Sequence, residues 1–532
     1  MKGRPASLIS VLLPVVAVLA SCGGDGGDGP SAPVGPDPAT LAPADAPLFA
    51  EGVVRPEGDQ KEAIDSALSK LLATDDPGAF VVEQLDQALA GSDAGLTYQE
   101  DIEPWLGAQA GIFLETFTGE ADGAAVVATT DPQAANEAID KAAAADEEPE
   151  RRRSYEGVDY LVDRGGTAAG VVGGFLVAGT ENGFRDAVDA SKGKSLAESG
   201  DFKAQLDRAP DDRVGFIYAE PRAILSALEK SGRVSSAEVA SAGPRLKALL
   251  RQPATASVSA TSDQLALQAS AATGAAPAPG ESSFLQDFPE GAWLAFAVTD
   301  VGQTYGRLLD QSLSGAGSGS PPLGGGLGFD LGAQVTRWAG DIGGFAGGAS
   351  LFSLSGALVL ETNDEQASAQ TLDRLQRALG RDPSVSVEPL NDSGEQGFSL
   401  APAGVPISFQ VVQSGDKVVA GLADSVNDVL SPSSTLGDSD AFKSAAEALG
   451  EGFAPVTFID FVPLFQLVDS LPQARSDPDY QSAKPYLDHL DYLVLGGRRE
   501  SDRAEVKMVL GLRDAPAESV GDSGATAAVV GK

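Results

Sequence analysis

Ala124-Ala125-Val126-Val127-Ala128-Thr129-Thr130-Asp131 and Ala357-Leu358-Val359-Leu360-Glu361-Thr362-Asn363-Asp364 are the two stretches on which the fold turns. Each is a short apolar run closed by an aspartate. The run is β-compatible, and the aspartate reads as the N-cap of a helix. Pro132 then takes the first helical position, where its missing N–H costs nothing. The first helix, over 132–144, is alanine-rich, whereas the second places Leu372, Leu375 and Leu379 on one face at helical spacing. Asp131 and Asp364 stand 233 positions apart.

Working outward, the same offset returns. Glu103-Pro104-Trp105-Leu106-Gly107 parallels Thr336-Arg337-Trp338-Ala339-Gly340, again 233 apart at the tryptophan. Phe175-Leu176-Val177-Ala178-Gly179 parallels Lys417-Val418-Val419-Ala420-Gly421 at 242. Ser195-Leu196-Ala197-Glu198-Ser199 with Phe202 parallels Thr435-Leu436-Gly437-Asp438-Ser439 with Phe442 at 240. Val214-Gly215-Phe216-Ile217-Tyr218 parallels Val456-Thr457-Phe458-Ile459-Asp460 at 242. Matches that keep their order at so steady an offset point to a duplicated unit. Strand 213–219 into helix 220–230 and strand 455–460 into helix 461–471 read alike. Each unit closes in a hairpin, 254–261 with 264–271 and 491–497 with 503–512. The expectation is an α+β protein of two homologous units, each a largely antiparallel sheet with packed helices. The units span 43–275 and 285–515, joined by a Pro/Gly/Ala linker over 276–284. A small, polar tail over 516–532 reads as disordered.

The N-terminus carries a different message. Lys2 and Arg4 precede an apolar run from Ala6 to Ala20, which ends in Leu19-Ala20-Ser21-Cys22. A basic start, an apolar stretch too short to span a bilayer and small residues at the end make a signal peptide over 1–21. The tetrapeptide resembles the lipobox of bacterial lipoproteins. That resemblance implies a diacylglycerol on the Cys22 thiol and Cys22 as the mature N-terminus. Cys22 is the only cysteine in 532 residues, so no internal disulfide competes for it. Residues 22–42, rich in Gly, Asp, Pro and Ala, read as a flexible lipid-anchored linker. The expected location is the extracytoplasmic face of a cell membrane.

The composition excludes several functions. With 37 basic and 76 acidic residues the formal charge is −39, which repels a phosphate backbone and argues against nucleic acid as a partner. One histidine and one cysteine leave no ligand set for zinc or copper, and no EF-hand loop is present, so no metal or other cofactor is expected. Acid pairs such as Asp75-Asp76, Asp211-Asp212 and Asp438 with Asp440 read as solvated turns.

Nucleophile motifs fare poorly. His489, flanked by Asp488 and Asp491, reads as structural. Gly521-Asp522-Ser523-Gly524 sits in the tail, without the fixed base and oxyanion hole that a serine nucleophile needs. Ser191-Lys192-Gly193-Lys194 lacks the Ser-Asp-Asn element that should accompany it. Gly315 to Gly332 reads as a loop, since no Gly-Lys-Ser/Thr follows. Trp105 and Trp338 read as core anchors set against close backbone.

Leu41-Ala42-Pro43-Ala44-Asp45-Ala46-Pro47, Asp101-Ile102-Glu103-Pro104-Trp105-Leu106-Gly107, Thr130-Asp131-Pro132, Tyr155-Glu156-Gly157-Val158 and Ser195-Leu196-Ala197 with Phe202 occur in order. Together they resemble the bacterial envelope family known as domain of unknown function 3352. The second unit departs at its tryptophan block, which lacks the proline. The resemblance implies an exported protein and supplies no catalytic residue. The functional expectation is therefore a non-enzymatic lipoprotein held to a membrane through Cys22, binding a small-molecule ligand or envelope protein or acting as a scaffold. The alternative is an envelope hydrolase built on carboxylates or serine.

Overall fold

The structure is a computed structural model describing residues 35–90, 95–116, 121–145, 151–230, 233–235, 247, 250, 252–272, 284–299, 330–392, 395–404, 407–500 and 503–516. The signal peptide, Cys22, the Gly521–Gly524 motif and most of the linker and tail lie outside the described residues.

Mixed helix and antiparallel sheet is what the chain forms. The first half runs β1 (Leu48–Val53), α1 (Gly58–Leu72), α2 (Pro77–Ala90), β2 (Leu106–Thr116), β3 (Asp122–Thr129) and α3 (Pro132–Ala145). It continues through β4 (Arg151–Tyr155), β5 (Val158–Val162), β6 (Thr167–Val172), β7 (Phe175–Thr180), α4 (Glu181–Ala190), α5 (Gly200–Leu206), β8 (Arg213–Ala219), α6 (Pro221–Lys230), β9 (Ala254–Thr261) and β10 (Gln264–Ala272). The second half runs α7 (Phe284–Asp287), β11 (Ala292–Val298), α8 (Leu331–Trp338), β12 (Ala339–Gly347), β13 (Ser355–Thr362), α9 (Glu365–Leu379), β14 (Val385–Asp392), β15 (Glu395–Pro402), β16 (Phe409–Ser414) and β17 (Lys417–Leu422). It closes with α10 (Ala423–Leu430), α11 (Asp440–Leu449), β18 (Ala454–Asp460), α12 (Phe461–Ser470), α13 (Pro472–Ser476), α14 (Pro478–Leu487), β19 (Leu490–Glu500) and β20 (Arg503–Leu512).

All pairings are antiparallel, and they join the strands into one sheet. Across the first half the neighbours are β4, β5, β6, β7, β3, β2, β1, β8, β9 and β10. Across the second they are β14, β15, β16, β17, β13, β12, β11, β18, β19 and β20. The two series meet where β10 pairs with β20. Leu267 faces Met508 there and Ala269 faces Val506, so the two hairpins meet about a local dyad at the Gln268–Lys507 pair.

Local interactions explain why the two stretches quoted first adopt the same path. Asp131 Oδ1 accepts from the Gln133 and Ala134 amides at 2.9 and 3.1 Å, and Asp364 Oδ1 accepts from Ala367 N at 2.9 Å. Thr130 N donates to Trp105 O at 2.9 Å and Asn363 N to Trp338 O at 2.7 Å. A Cβ at Gly179 would come within 2.3 Å of Gly123 O, and one at Gly421 within 2.5 Å of Gly356 O. Only glycine allows strands β3/β7 and β13/β17 to close at those points.

One sheet face is covered across its width. Helices α4 and α5 cover Phe49, Phe113, Val126, Val177, Phe216 and Tyr218. Helices α7, α10 and α11 cover Ala295, Phe345, Val419, Phe458, Val494 and Val509. The opposite face is covered at its flanks, by α2 and α3 around Trp105 and by α8 and α9 around Trp338. Both indoles are buried, with Trp105 Nε1 donating to Asp101 O and Trp338 Nε1 to Thr371 Oγ1 at 3.1 Å.

Three sequence expectations need correction. The linker expected over 22–42 gives way to folded chain by residue 35: Asp37 caps a 3₁₀ turn, and Ala39, Leu41 and Ala42 are buried in the core. Small apolar residues there fill space above Phe49 and Phe113, which composition alone cannot distinguish from a tether. At the 276–284 linker, Phe284 is already core, as its ring is needed under Gly343. The loop expected through Gly332 stops sooner, since Asp330 caps α8 through Ala333 N at 3.0 Å. In addition, β8 and β18 align at an offset of 240: Tyr218 stands opposite Phe49 where Phe458 stands opposite Ala295.

Candidate functional site

The centre of the less-covered sheet face carries a groove of about 550 Å³. Its floor is read directly from the strand register. One row crosses Ala125, Ile112, Ala50, Ile217 and Ala256. The next crosses Ala110, Gly52, Gly215, Val258, Leu267 and Met508. Alanine and glycine leave the floor low, while Ile64 and Leu68 of α1, with Val54, raise one wall. Ile217, Val258, Leu267 and Met508 remain exposed along it. Contiguous apolar surface of this kind is uncommon on a soluble chain unless it binds something, and the volume lies within the usual range of small-molecule sites.

The groove presents hydrocarbon and backbone. Glu51 is the one ionisable residue along its lining. Its neighbours Phe49 and Val53 are buried on the other face, so strand alternation sends its carboxyl there too. Burial pushes that carboxyl up to about 7; Asp37 adds to the effect and Arg213 opposes it. Glu115 is also raised to about 7, by burial and then by Asp186, Asp45 and Asp122. Neither acid turns its carboxyl into a shared cleft with a second one at the groove.

The other sequence candidates have structural roles. His489 Nδ1 lies 3.0 Å from Arg513 O, while Asp488 pairs with Lys484 at 2.9 Å. Ser191 Oγ donates to Val188 O at 2.6 Å at the end of α4, and Lys194 O accepts from Ala44 N. Asp76 caps α2 through Ala79 N, and Asp438 closes a capping box with Thr435. Among the described residues no group of three or more His, Cys, Asp or Glu could hold a metal, and no helix is long and apolar enough to cross a membrane.

Sequence reasoning missed the groove. Its signal was present as small residues on one face of a strand, Ala50 and Gly52 of β1 set between Phe49, Glu51 and Val53, and Ala256 and Ala260 of β9 on either side of Val258.

Known proteins add a family. No curated protein matches the chain. A solved structure described as "Structure of crystal form I of TP0453" is similar at 7% identity and a TM-score of 0.18, covering 75% of this chain and 97% of that one. So low a score carries no argument. Residues 79–507 match a family described as "Protein of unknown function (DUF3352)", and over that span, from the first turn of α2 into β20, the chain belongs to it.

Proposed function

We propose that this chain is a non-enzymatic, extracytoplasmic lipoprotein, anchored through lipid on Cys22, that binds the aliphatic chain of a small amphiphile in the central groove. We read its two halves as duplicated units, of which the first carries the site. The observation that carries this reading is the groove itself: about 550 Å³ floored by Ala50, Gly52, Gly215 and Ala256, with Glu51 the one ionisable residue of its lining and the Glu51 carboxyl on the other side of the strand. Burying hydrocarbon there removes apolar surface from water on both partners. A carboxylate- or serine-dependent hydrolysis would require polar groups converging on a substrate, whereas the groove lining holds the single carboxylate residue Glu51 and no serine.

The test is titration of the full chain carrying Cys22→Ser with 11-(dansylamino)undecanoic acid. A saturable rise in dansyl emission, reversed by unlabelled fatty acid, is expected. Absence of saturation overturns the groove reading. The anchor is tested separately by radiolabelled palmitate, which the parent chain should incorporate and the Cys22→Ser chain should not.

A further inference from the structure

We propose that the tip of the β12–β13 hairpin, Gly348 to Leu354, inserts into the interface of a lipid bilayer. Leu351 and Leu354 are exposed there and Phe352 is fully so, three large apolar side chains at consecutive or near-consecutive positions. From Ile342 to Leu360 the sequence carries no charged residue, although the whole chain has a formal charge of −39. An uncharged, apolar tip on so acidic a protein is the converse of what solubility selects.

The tip is also built to hold its shape. Ser353 N donates to Ser350 O at 3.1 Å, Ser350 N donates to Ser353 Oγ at 3.1 Å, and the two hydroxyls lie 3.0 Å apart. Gly348 has a φ of +104°, and a Cβ there would collide with Ser353 O. At the base of the tip, the half-buried Trp293 donates Nε1 to Gly348 O at 3.1 Å. Trp293 thus sits below a projecting Leu-Phe-Ser-Leu crest. An amphipathic indole at headgroup level beneath aliphatic and phenyl groups is the order in which these residue types partition at a bilayer surface.

Shape and charge commit the tip to lipid. The crest is convex and ordered, so it enters a soft medium without a complementary pocket. Glu290 precedes β11 at the same end of the sheet, and the acidic excess of the chain favours a zwitterionic surface over an anionic one. Insertion at this tip is independent of the groove, since it lies on a different hairpin. It is independent of Cys22 as well, because a lipid on that residue and an inserted loop are separate signals that add.

The experiment uses the full chain with Cys22→Ser and Phe352→Cys, which leaves one thiol for an environment-sensitive nitrobenzoxadiazole label. With phosphatidylcholine vesicles in excess, emission should shift to the blue and be quenched by acyl chains bearing nitroxide. A label at Asp416→Cys, in the turn at the other end of β13, should do neither. The variant Leu351→Ser/Phe352→Ser/Leu354→Ser should lose at least tenfold in vesicle co-sedimentation with an unchanged melting temperature. Emission at residue 352 that stays at its aqueous position with vesicles in excess overturns the proposal. So does co-sedimentation of the triple variant equal to the parent's.

Discussion

The same row of the sheet can be followed in both halves, and its contents differ in a systematic way. In the first half it reads Ala125, Ile112, Ala50, Ile217 and Ala256. In the second it reads Leu358, Gly344, Phe296, Thr457 and Leu495. Small residues face large ones at every position. The Phe296 ring and Leu358 close over Gly344, where an added Cβ would meet them at 2.9 and 2.8 Å. On the neighbouring row Ile342 and Val298 replace Ala110 and Gly52. One backbone pattern therefore carries its large side chains on different strands on the two sides of the β10–β20 junction, on β2 and β8 in the first half and on β13, β11 and β19 in the second. At the flanks the halves agree: each buries a tryptophan at the start of its second strand. The flanks set the shared architecture, and the central row sets what each half can hold.

The largest effect should come from the shared part. Trp105→Ala and Trp338→Ala should each destabilise the fold by about 3–5 kcal/mol, because each removes a large buried ring from its flank core. Chemical denaturation followed by far-UV circular dichroism measures this. If one substitution cost less than half as much as the other, the flanks would not be equivalent.

The buried acid marks the next largest difference. Glu51 faces the core in β1, where β11 places the buried Ala297. With its folded pKa raised to about 7, Glu51 binds more protons folded than unfolded, so stability falls as pH rises from about 4.5 to 7. The loss is on the order of 3 kcal/mol at most, at about 1.4 kcal/mol per pKa unit. Glu51→Gln should remove that slope and leave the protein more stable than the parent at pH 8. Urea midpoints between pH 4.5 and 8 test it. An unchanged slope would mean that Glu51 is solvated in the native state.

How much of this was legible in the sequence depends on periodicity. The strand-to-helix junctions at Asp131 and Asp364 were legible, because a capping side chain acts locally. So were Trp105 and Trp338 as anchors and the two closing hairpins. The offset between β8 and β18 was misread by two residues. A two-residue slip keeps every side chain on its face, so the apolar pattern of Val214–Tyr218 fits either register. The join between β10 and β20 is a contact between residues more than 230 positions apart, and no local signal marks it. Nor does composition separate Ala39, Leu41 and Ala42 from a tether: their burial follows from where Phe49 and Phe113 lie. The groove was hidden for a related reason. Ala50 and Gly52 look like weak strand formers, and only the register shows that they share one floor with Ala110, Ala125, Gly215 and Ala256 from four other strands.

The central row can be transplanted. Ala50→Phe with Gly52→Val gives the first half the residues found at Phe296 and Val298. The groove has room for them, and a Cβ at Gly52 makes only ordinary contact, 3.4 Å from Val214 O. Affinity for the dansyl fatty acid should drop by more than tenfold, a change of about 1.4 kcal/mol or more. The melting temperature should hold or rise, since filled space gains contacts. Undiminished binding would place the ligand elsewhere.

The smallest effect sharpens the comparison at the quoted stretches themselves. Asp131→Ala and Asp364→Ala each delete a cap, at about 1 kcal/mol. The costs should differ, however. After Asp131 comes Pro132, whose ring fixes φ near the helical value and lacks the N–H that would otherwise need a partner. After Asp364 comes Glu365, which must be ordered by the cap. Asp364 O also accepts from Ser368 Oγ at 3.2 Å, within a buried network that reaches Gln413 Oε1 at 3.1 Å. Losing the cap at Asp364 therefore loosens the residue on which that network rests, whereas Asn136 Nδ2 in the first helix bonds to Pro132 O at the exposed surface. Asp364→Ala should be the costlier of the two by a few tenths of a kcal/mol. Paired denaturation curves that ranked them the other way would show that Pro132 does not offset the lost cap in α3 and that the Ser368 network holds without the Asp364 side chain.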